Sequence, residues 1–199
     1  MNAFADFDSG NSGGEYPFLN WGAQKEKFTL RVSKDETIDF AGFDAGVVMD
    51  VQNMKTGWCY TSGIAGQAPE WKMNPTITRF MESPGEDYKK GFKIKCAIGK
   101  GQTASWDQAG AGAWNAFVAL VPQLQQAPQG DVLPLVRMVG KKNVKFTKGS
   151  TVEPVLEVVK WVARPDCLKS GFAAGIATEP APKPAPTPAP VPENTAAEF

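Results

Sequence analysis

The 199-residue chain has 42% hydrophobic and 21% charged residues, the balance of a soluble protein with one main core, which excludes a wholly disordered chain and a membrane protein. It contains no histidine, so Ser-His and Cys-His nucleophile pairs and the imidazole ligands of most catalytic zinc sites are ruled out, and the expectation is a protein that is not an enzyme and needs no cofactor or metal. The net charge of zero hides an uneven distribution. Residues 17 to 177 hold 20 basic and 15 acidic side chains, whereas Asp6, Asp8 and Glu15 stand alone before them and Glu179, Glu193 and Glu198 face only Lys183 after them. A basic body between acidic arms points to an acidic partner.

Residues 1–16 form a Gly/Ser/Asp-rich acidic arm, expected to be flexible. Its sequence MNAFADFDSGNSGG has neither the positive leader nor the apolar run of a signal peptide. The body is expected to run from 17 to 172, and its dominant period is two, the mark of half-buried strands. In KEKFTLRVS, Phe28, Leu30 and Val32 alternate with Lys27, Thr29 and Arg31. GVVMDVQNM, KTG and WCYTS read as a hairpin turning near Lys55 to Gly57. A long connection over 63–88 contains the polar insertion QAPEWKMNP. KGFKIKCAIG then places Phe92, Ile94, Cys96 and Ile98 inward and Lys93 and Lys95 outward. GAWNAFVALVPQLQQ has the one helical period, with Trp114, Phe117, Val118 and Val121 on a single face and Pro122 expected to end or kink it. DVLPLVRMVG, an edge strand or strand start by its Pro134, and VLEVVKWVA, apolar on both sides and therefore expected to be the most buried strand, complete the body.

This order predicts an all-β domain with one helix, an OB-fold-like five-stranded antiparallel barrel with a hairpin or loop insertion, flanked by disordered termini. A β-sandwich with an inserted helix is the alternative. Cys59, Cys96 and Cys167 are odd in number and lack CxxC spacing, which suits a reducing cytoplasm. No apolar run approaches the ~20 residues that span a bilayer.

Two basic runs carry no acid. YKKGFKIKCAIGK holds Lys89, Lys90, Lys93, Lys95 and Lys100, and RMVGKKNVKFTK holds Arg137, Lys141, Lys142, Lys145 and Lys148, with Tyr88, Phe92 and Phe146 interleaved. A single-stranded nucleic acid needs such bases for its phosphates and flat side chains for its bases to stack on. Trp58 and Tyr60, two residues apart on one strand face, and Trp71 are the candidate platforms. The candidate nucleic-acid-binding set is thus Lys27, Arg31, Trp58, Tyr60, Trp71, Lys89, Lys90, Lys93, Lys95, Lys141, Lys142, Lys145, Phe146 and Lys148. No helix combines bases with a recognition face, so duplex reading is disfavoured. Asp35, Glu36 and Asp39 lack the spacing and glycine of a calcium loop.

Residues 173–192 form a Pro/Ala-rich linker, whose nearly alternating prolines from 177 onward suit an extended spacer about 50 Å long. The tip, residues 193–199, is ENTAAEF, with Glu193, Glu198 and the terminal Phe199. It resembles the C-terminal tip of single-stranded DNA-binding proteins, though with fewer acids. That resemblance implies docking of replication and repair proteins, and weak competition with DNA for the basic groove. The stretches TVEPVLEVVKWVARPDCLK, GDVLPLVRMVG and KGFKIKCAIG are similar to phage-encoded single-stranded DNA-binding proteins over roughly residues 16–169. The resemblance implies an OB-fold that coats single-stranded DNA, with little sequence preference, during phage DNA replication or recombination. A structural or virion-assembly β protein, and a carbohydrate-binding OB module, are the competing readings.

Overall fold

The structure, a computed structural model, describes residues 17–64, 67–77, 79–99, 101–147 and 149–169. The expected N-terminal arm, the Pro/Ala-rich linker and the tip with Glu193, Glu198 and Phe199 lie outside the described residues, as do Lys100 and Lys148.

Strands β1 (Phe18–Gly22), β2 (Lys27–Arg31) and β3 (Thr37–Asp39) precede a one-turn helix α1 (Gly42–Ala45); β4 (Val47–Met49), β5 (Lys55–Tyr60), β6 (Glu70–Met73), β7 (Lys89–Ala97) and β8 (Thr103–Ala109) follow; α2 (Ala111–Leu124), β9 (Val132–Phe146) and β10 (Gly149–Ala163) complete the order. The ten strands form one sheet in the order β10-β9-β4-β7-β8-β1-β2-β3, with β5 paired to β7 and β6 to β5. The protein is mostly β, as its period of two predicts. The expected five-stranded antiparallel barrel does not describe this sheet, which is open, has ten strands, and includes the parallel pair β1–β8. Side chains nevertheless link the β1–β2 hairpin to the β9–β10 hairpin. The Trp21 indole N–H donates to the Val152 carbonyl at 2.9 Å, and Lys141 Nζ lies 3.4 Å from Glu26 Oε2.

The predicted hairpin between residues 46 and 62 does not form. After β4 the chain bends through a 3-10 turn, Val51–Asn53, so β4 and β5 do not fold back on each other. Both instead pair with β7: β4 at Cys96 and Ala97, β5 from Lys89 to Lys93. The expected turn at Lys55 to Gly57 lies inside β5. Gly57 and Gly91 face each other in this ladder, and a Cβ on either would sit within 3 Å of backbone in the next strand, 2.3 Å from the Lys72 carbonyl or 2.6 Å from that of Gln108. The close approach of β6 and β8 to β5 and β7 therefore needs glycine at both positions.

A smaller buried cluster of Ala97, Leu133 and Leu168 lies on one side of the sheet, where the 3-10 turn Asp166–Leu168 packs against β7, and the main core fills the other. Phe28 stacks on Phe43 at 4.0 Å, and Trp106 meets Phe28, Phe43 and Phe92 edge-on. Burying each such ring contributes on the order of 2 kcal/mol. Helix α2 closes this side with Ala113, Ala116, Phe117 and Leu120, while Val118 is 45% exposed. The buried face is thus turned from the one the apolar spacing predicts, because the small Ala113 and Ala116 let the helix approach the sheet closely. Pro122 does not end the helix, which runs on to Leu124, since only the one hydrogen bond that Pro122 cannot donate is lost near the terminus.

Two further expectations are corrected. β10 is an outer strand with Val155 and Val159 exposed, so its two-sided apolar pattern does not mark the most buried strand. β9 is interior to the sheet, and Pro134 is accommodated because β4 pairs only with Leu135 and Val136 beside it. No helix among the described residues is long and apolar enough to cross a membrane.

Candidate nucleic-acid interface

Residues directly opposite one another in a ladder share a face of the sheet, so the registers sort the candidate residues. One row runs Lys95, Ser105, Phe18, Arg31, Thr37 across β7, β8, β1, β2 and β3. The neighbouring row joins Lys55, Lys93 and Asp107, and a third joins Lys89, Cys59 and Trp71. All of these residues lie on the side opposite Phe92, Ile94 and Trp106, the side away from the main core. At a strand spacing near 4.8 Å, Lys95 and Arg31 are about 14 Å apart along their row.

This outer face is polar because β7 and β8 alternate. Lys89, Lys93 and Lys95 interleave with buried Phe92, Ile94 and Cys96, and Thr103, Ser105 and Asp107 interleave with Ala104 and Trp106. Such one-sided burial is typical of antiparallel strands with a single packed face. Arg31, Lys55 and Lys89 are exposed, and Lys93, Lys95, Trp71 and Phe18 are half-buried. Lys93 reaches across the Gly57–Gly91 gap, where no side chain intervenes, so that its Nζ sits 4.9 Å from the Trp71 ring centre and 3.2 Å from Asp107 Oδ2. Trp71, Lys93 and Asp107 therefore form a connected line over three strands. Lys27 ends the same face, paired with Asp39 at 2.6 Å. Arg31 donates to the carbonyls of Ser33 and Lys34.

The other candidates are elsewhere. Trp58, Tyr60 and Lys90 lie on the core side of β5 and β7, by their pairing with Lys72, Glu70 and Trp58 respectively. Trp58 donates its indole N–H to the Met81 carbonyl at 2.9 Å and meets Phe80 edge-on. Lys90 lies over both of those rings. Tyr60 contacts Tyr88, at a spot where Glu70 is held below the usual carboxylate range by Lys72 first and by Tyr88 second. Trp58 and Tyr60 thus share a face with each other, as their spacing predicts, but not with Trp71. Lys141, Lys142, Lys145 and Phe146 sit on the far part of the β9–β10 hairpin, which the Lys141–Glu26 pair ties to the β1–β2 turn. Lys142 is opposite Glu153, and Phe146 is 44% exposed.

Sequence reasoning missed Phe18, Lys55, Ser105 and Asp107. The alternation of Thr103, Ser105 and Asp107 with Ala104 and Trp106 was the available signal for the last two. Burial holds the Cys59 thiol above its ordinary range, against the Thr61 hydrogen bond and the charges of Lys93 and Lys89. Compared with protein-family models, with curated proteins and with solved structures, the chain matches none.

Proposed function

We propose that the protein is a non-enzymatic single-stranded DNA-binding protein that holds the strand across the outer face of β5, β7, β8, β1 and β2, with little dependence on sequence. The observation that carries this reading is that Lys89, Lys95, Arg31 and Trp71 share the sheet face opposite α2 and the main core. Phosphates need cations that can shed a counterion, and bases need a flat ring. Lys89 and Lys95 form no ion pair among the described residues, and Trp71, half-buried, stands on the same face in the row of Lys89. Lys93 instead positions Trp71 and Asp107. The side-chain links between β1 and β10 and between Glu26 and Lys141 give the open sheet a curl that supports an OB-like reading of the fold. Lys142, Lys145 and Phe146 on the β9–β10 hairpin, with Lys148 of the same basic run, extend the proposed contact.

In this reading the protein coats single strands in the cytoplasm of a phage-infected cell during replication or recombination. The tip with Glu193, Glu198 and Phe199 recruits partner proteins. Titrating a fluorescent oligodeoxynucleotide at several salt concentrations tests the central claim. About four phosphate contacts give a log–log slope near −3, whereas a carbohydrate-binding or purely structural protein gives a flat response or no binding. Deleting residues 193–199 tests the tip: retention of replication proteins on an affinity column is lost, and DNA affinity at low salt rises modestly.

A further inference from the structure

Among the described residues, the strands of the proposed DNA-binding face and the adjoining β3 present two carboxylates there, Asp39, which pairs with Lys27 at the end of the face, and Asp107 at its centre. Asp107 stands opposite Lys93 in the β7–β8 ladder. Its Oδ2 accepts from Lys93 Nζ at 3.2 Å, and its Oδ1 accepts from the Ser105 hydroxyl. Its side chain is 15% exposed, fixed in place yet reachable from the face. A carboxylate repels phosphate, so its position decides which part of a bound strand can pass over it. The phosphates are drawn to Lys89, Lys95 and Arg31, on the rows to either side. Lys93 links the Trp71 ring to Asp107, with its Nζ 4.9 Å from the ring centre and 3.2 Å from Asp107 Oδ2, so a base that stacked on Trp71 with its edge along this line would point that edge at Asp107.

An ionised carboxylate only accepts hydrogen bonds and offers about four lone-pair positions, of which Lys93 and Ser105 take two. We propose that Asp107, positioned by Lys93 and Ser105, selects nucleobases whose exposed edge donates hydrogen bonds, so that cytosine is bound in preference to thymine. This rests on single-strand binding at this face, and adds a modest base preference to a contact whose main part, through the phosphates, does not depend on sequence. Cytosine presents its N4 amino group as a donor. Thymine presents the O4 acceptor at the same position and flanks its one N–H with two carbonyl oxygens, so its edge meets the carboxylate with repulsion. The two bases have nearly the same size and stack alike, which leaves the edge as the discriminating feature.

The test compares equal-length oligodeoxycytidine and oligodeoxythymidine binding to the full chain by fluorescence anisotropy at one salt concentration. The expected result is tighter binding of the cytidine strand by about fivefold, the low end of what a hydrogen-bonded base edge supplies. Asp107→Asn, whose amide both donates and accepts, brings the ratio close to one. An Asp107 that acted only through its charge would let Asp107→Asn strengthen both strands equally and leave the ratio unchanged, which overturns the proposal. Asp107→Ser serves as the second variant, with circular dichroism confirming that either remains folded. Equal binding of the two strands by the unmodified protein sinks the selectivity while single-strand binding stands; binding of neither strand sinks both.

Discussion

The side chain of Gln108 takes the place of a peptide group opposite Trp21. Its Oε1 accepts from the Trp21 backbone N–H at 2.8 Å, and its Nε2 donates to the Trp21 carbonyl at 2.8 Å. The parallel backbone pairing of β1 with β8 is confined to Phe18–Ser105 and Leu19–Trp106, and Gln108 extends that junction by two further hydrogen bonds. The same Oε1 also accepts from the Trp106 indole at 2.8 Å. One carboxamide thus holds the seam on which the Lys95–Ser105–Phe18–Arg31 row depends.

Gln108→Ala is expected to lower stability by ~2 to 4 kcal/mol, because three hydrogen bonds go and partly buried donors are left unpaired. Gln108→Glu keeps the acceptor but cannot donate to the Trp21 carbonyl while ionised. Its carboxyl is then raised in the folded state, so the stability of this variant recovers on acidification and falls as pH rises through that raised value. Urea unfolding at two pH values measures both effects; an alanine variant as stable as the parent would show that the seam is held elsewhere.

Lys95 tests the outer face directly. Lys95→Gln is expected to reduce the salt slope of oligonucleotide binding by about 0.7, the share of one phosphate contact, and to leave thermal stability nearly unchanged. Lys93→Gln has a different signature, since Lys93 is held between Trp71 and Asp107. It weakens binding through loss of order at Trp71, with less change in slope. Anisotropy titrations at three salt concentrations separate the two.

Alternation within a strand was legible from the sequence, and partnership between strands was not. Lys93 and Lys95 outward, Phe92 and Ile94 inward, follow from period two alone. The same rule places Trp58 with Tyr60, yet only the register shows that they share the core side with Lys90 while Trp71 lies on the other face. β8 escaped notice because Ser105, Asp107 and Gln108 lack the β-branched bulk that marks a strand. The break after Met49 escaped it because Asp50 is buried at 2% exposure, its charge met by an arginine 114 positions later in sequence, a contact that no local pattern announces.

That arginine is Arg164. It reaches Asp50 Oδ2 at 2.9 Å, Asp131 Oδ1 at 2.7 Å and Gln52 Oε1 at 2.6 Å, fastening the segment after β10 to the bend between β4 and β5. The hydrogen bond it donates to Asp131, and then the one to Asp50, keep its guanidinium more basic than usual. Arg164→Ala is expected to cost ~3 to 5 kcal/mol by leaving the Asp50 charge buried and uncompensated. Adding Asp50→Asn should return a substantial part of that loss. If the double variant is no more stable than the single one, the buried charge is not the cause.

The thiols give a chemical check on burial. Cys59 and Cys96 are buried, and desolvation raises both thiols above their ordinary range, so at pH 8 their thiolate fraction is smaller than that of a free cysteine. Cys167 is half-buried. Ellman's reagent is expected to label one of the three cysteines quickly in the native protein and all three after denaturation. Raising the pH toward 10 should speed the slow pair without reaching a plateau. Fast labelling of Cys59 at pH 8 would mean that the β5–β6 edge opens readily.

Trp71 and Trp58 separate binding from folding. Trp71 lies on the outer face against Lys93, whereas Trp58 ties the 74–88 connection to the sheet through Met81 and Phe80. Trp71→Ala is expected to weaken oligonucleotide binding by ~1 to 3 kcal/mol, the contribution of one stacked base, with the melting temperature little changed. Trp58→Ala removes a half-buried ring and its hydrogen bond, and is expected to destabilise the fold by about 2 kcal/mol while affinity measured well below the melting temperature stays near that of the parent. Tryptophan fluorescence gives an independent reading, because quenching by bound DNA should persist in Trp58→Ala and diminish in Trp71→Ala. The opposite pattern would move the binding surface to the core side of β5, beside Lys90 and Tyr60, and the outer face would lose its role.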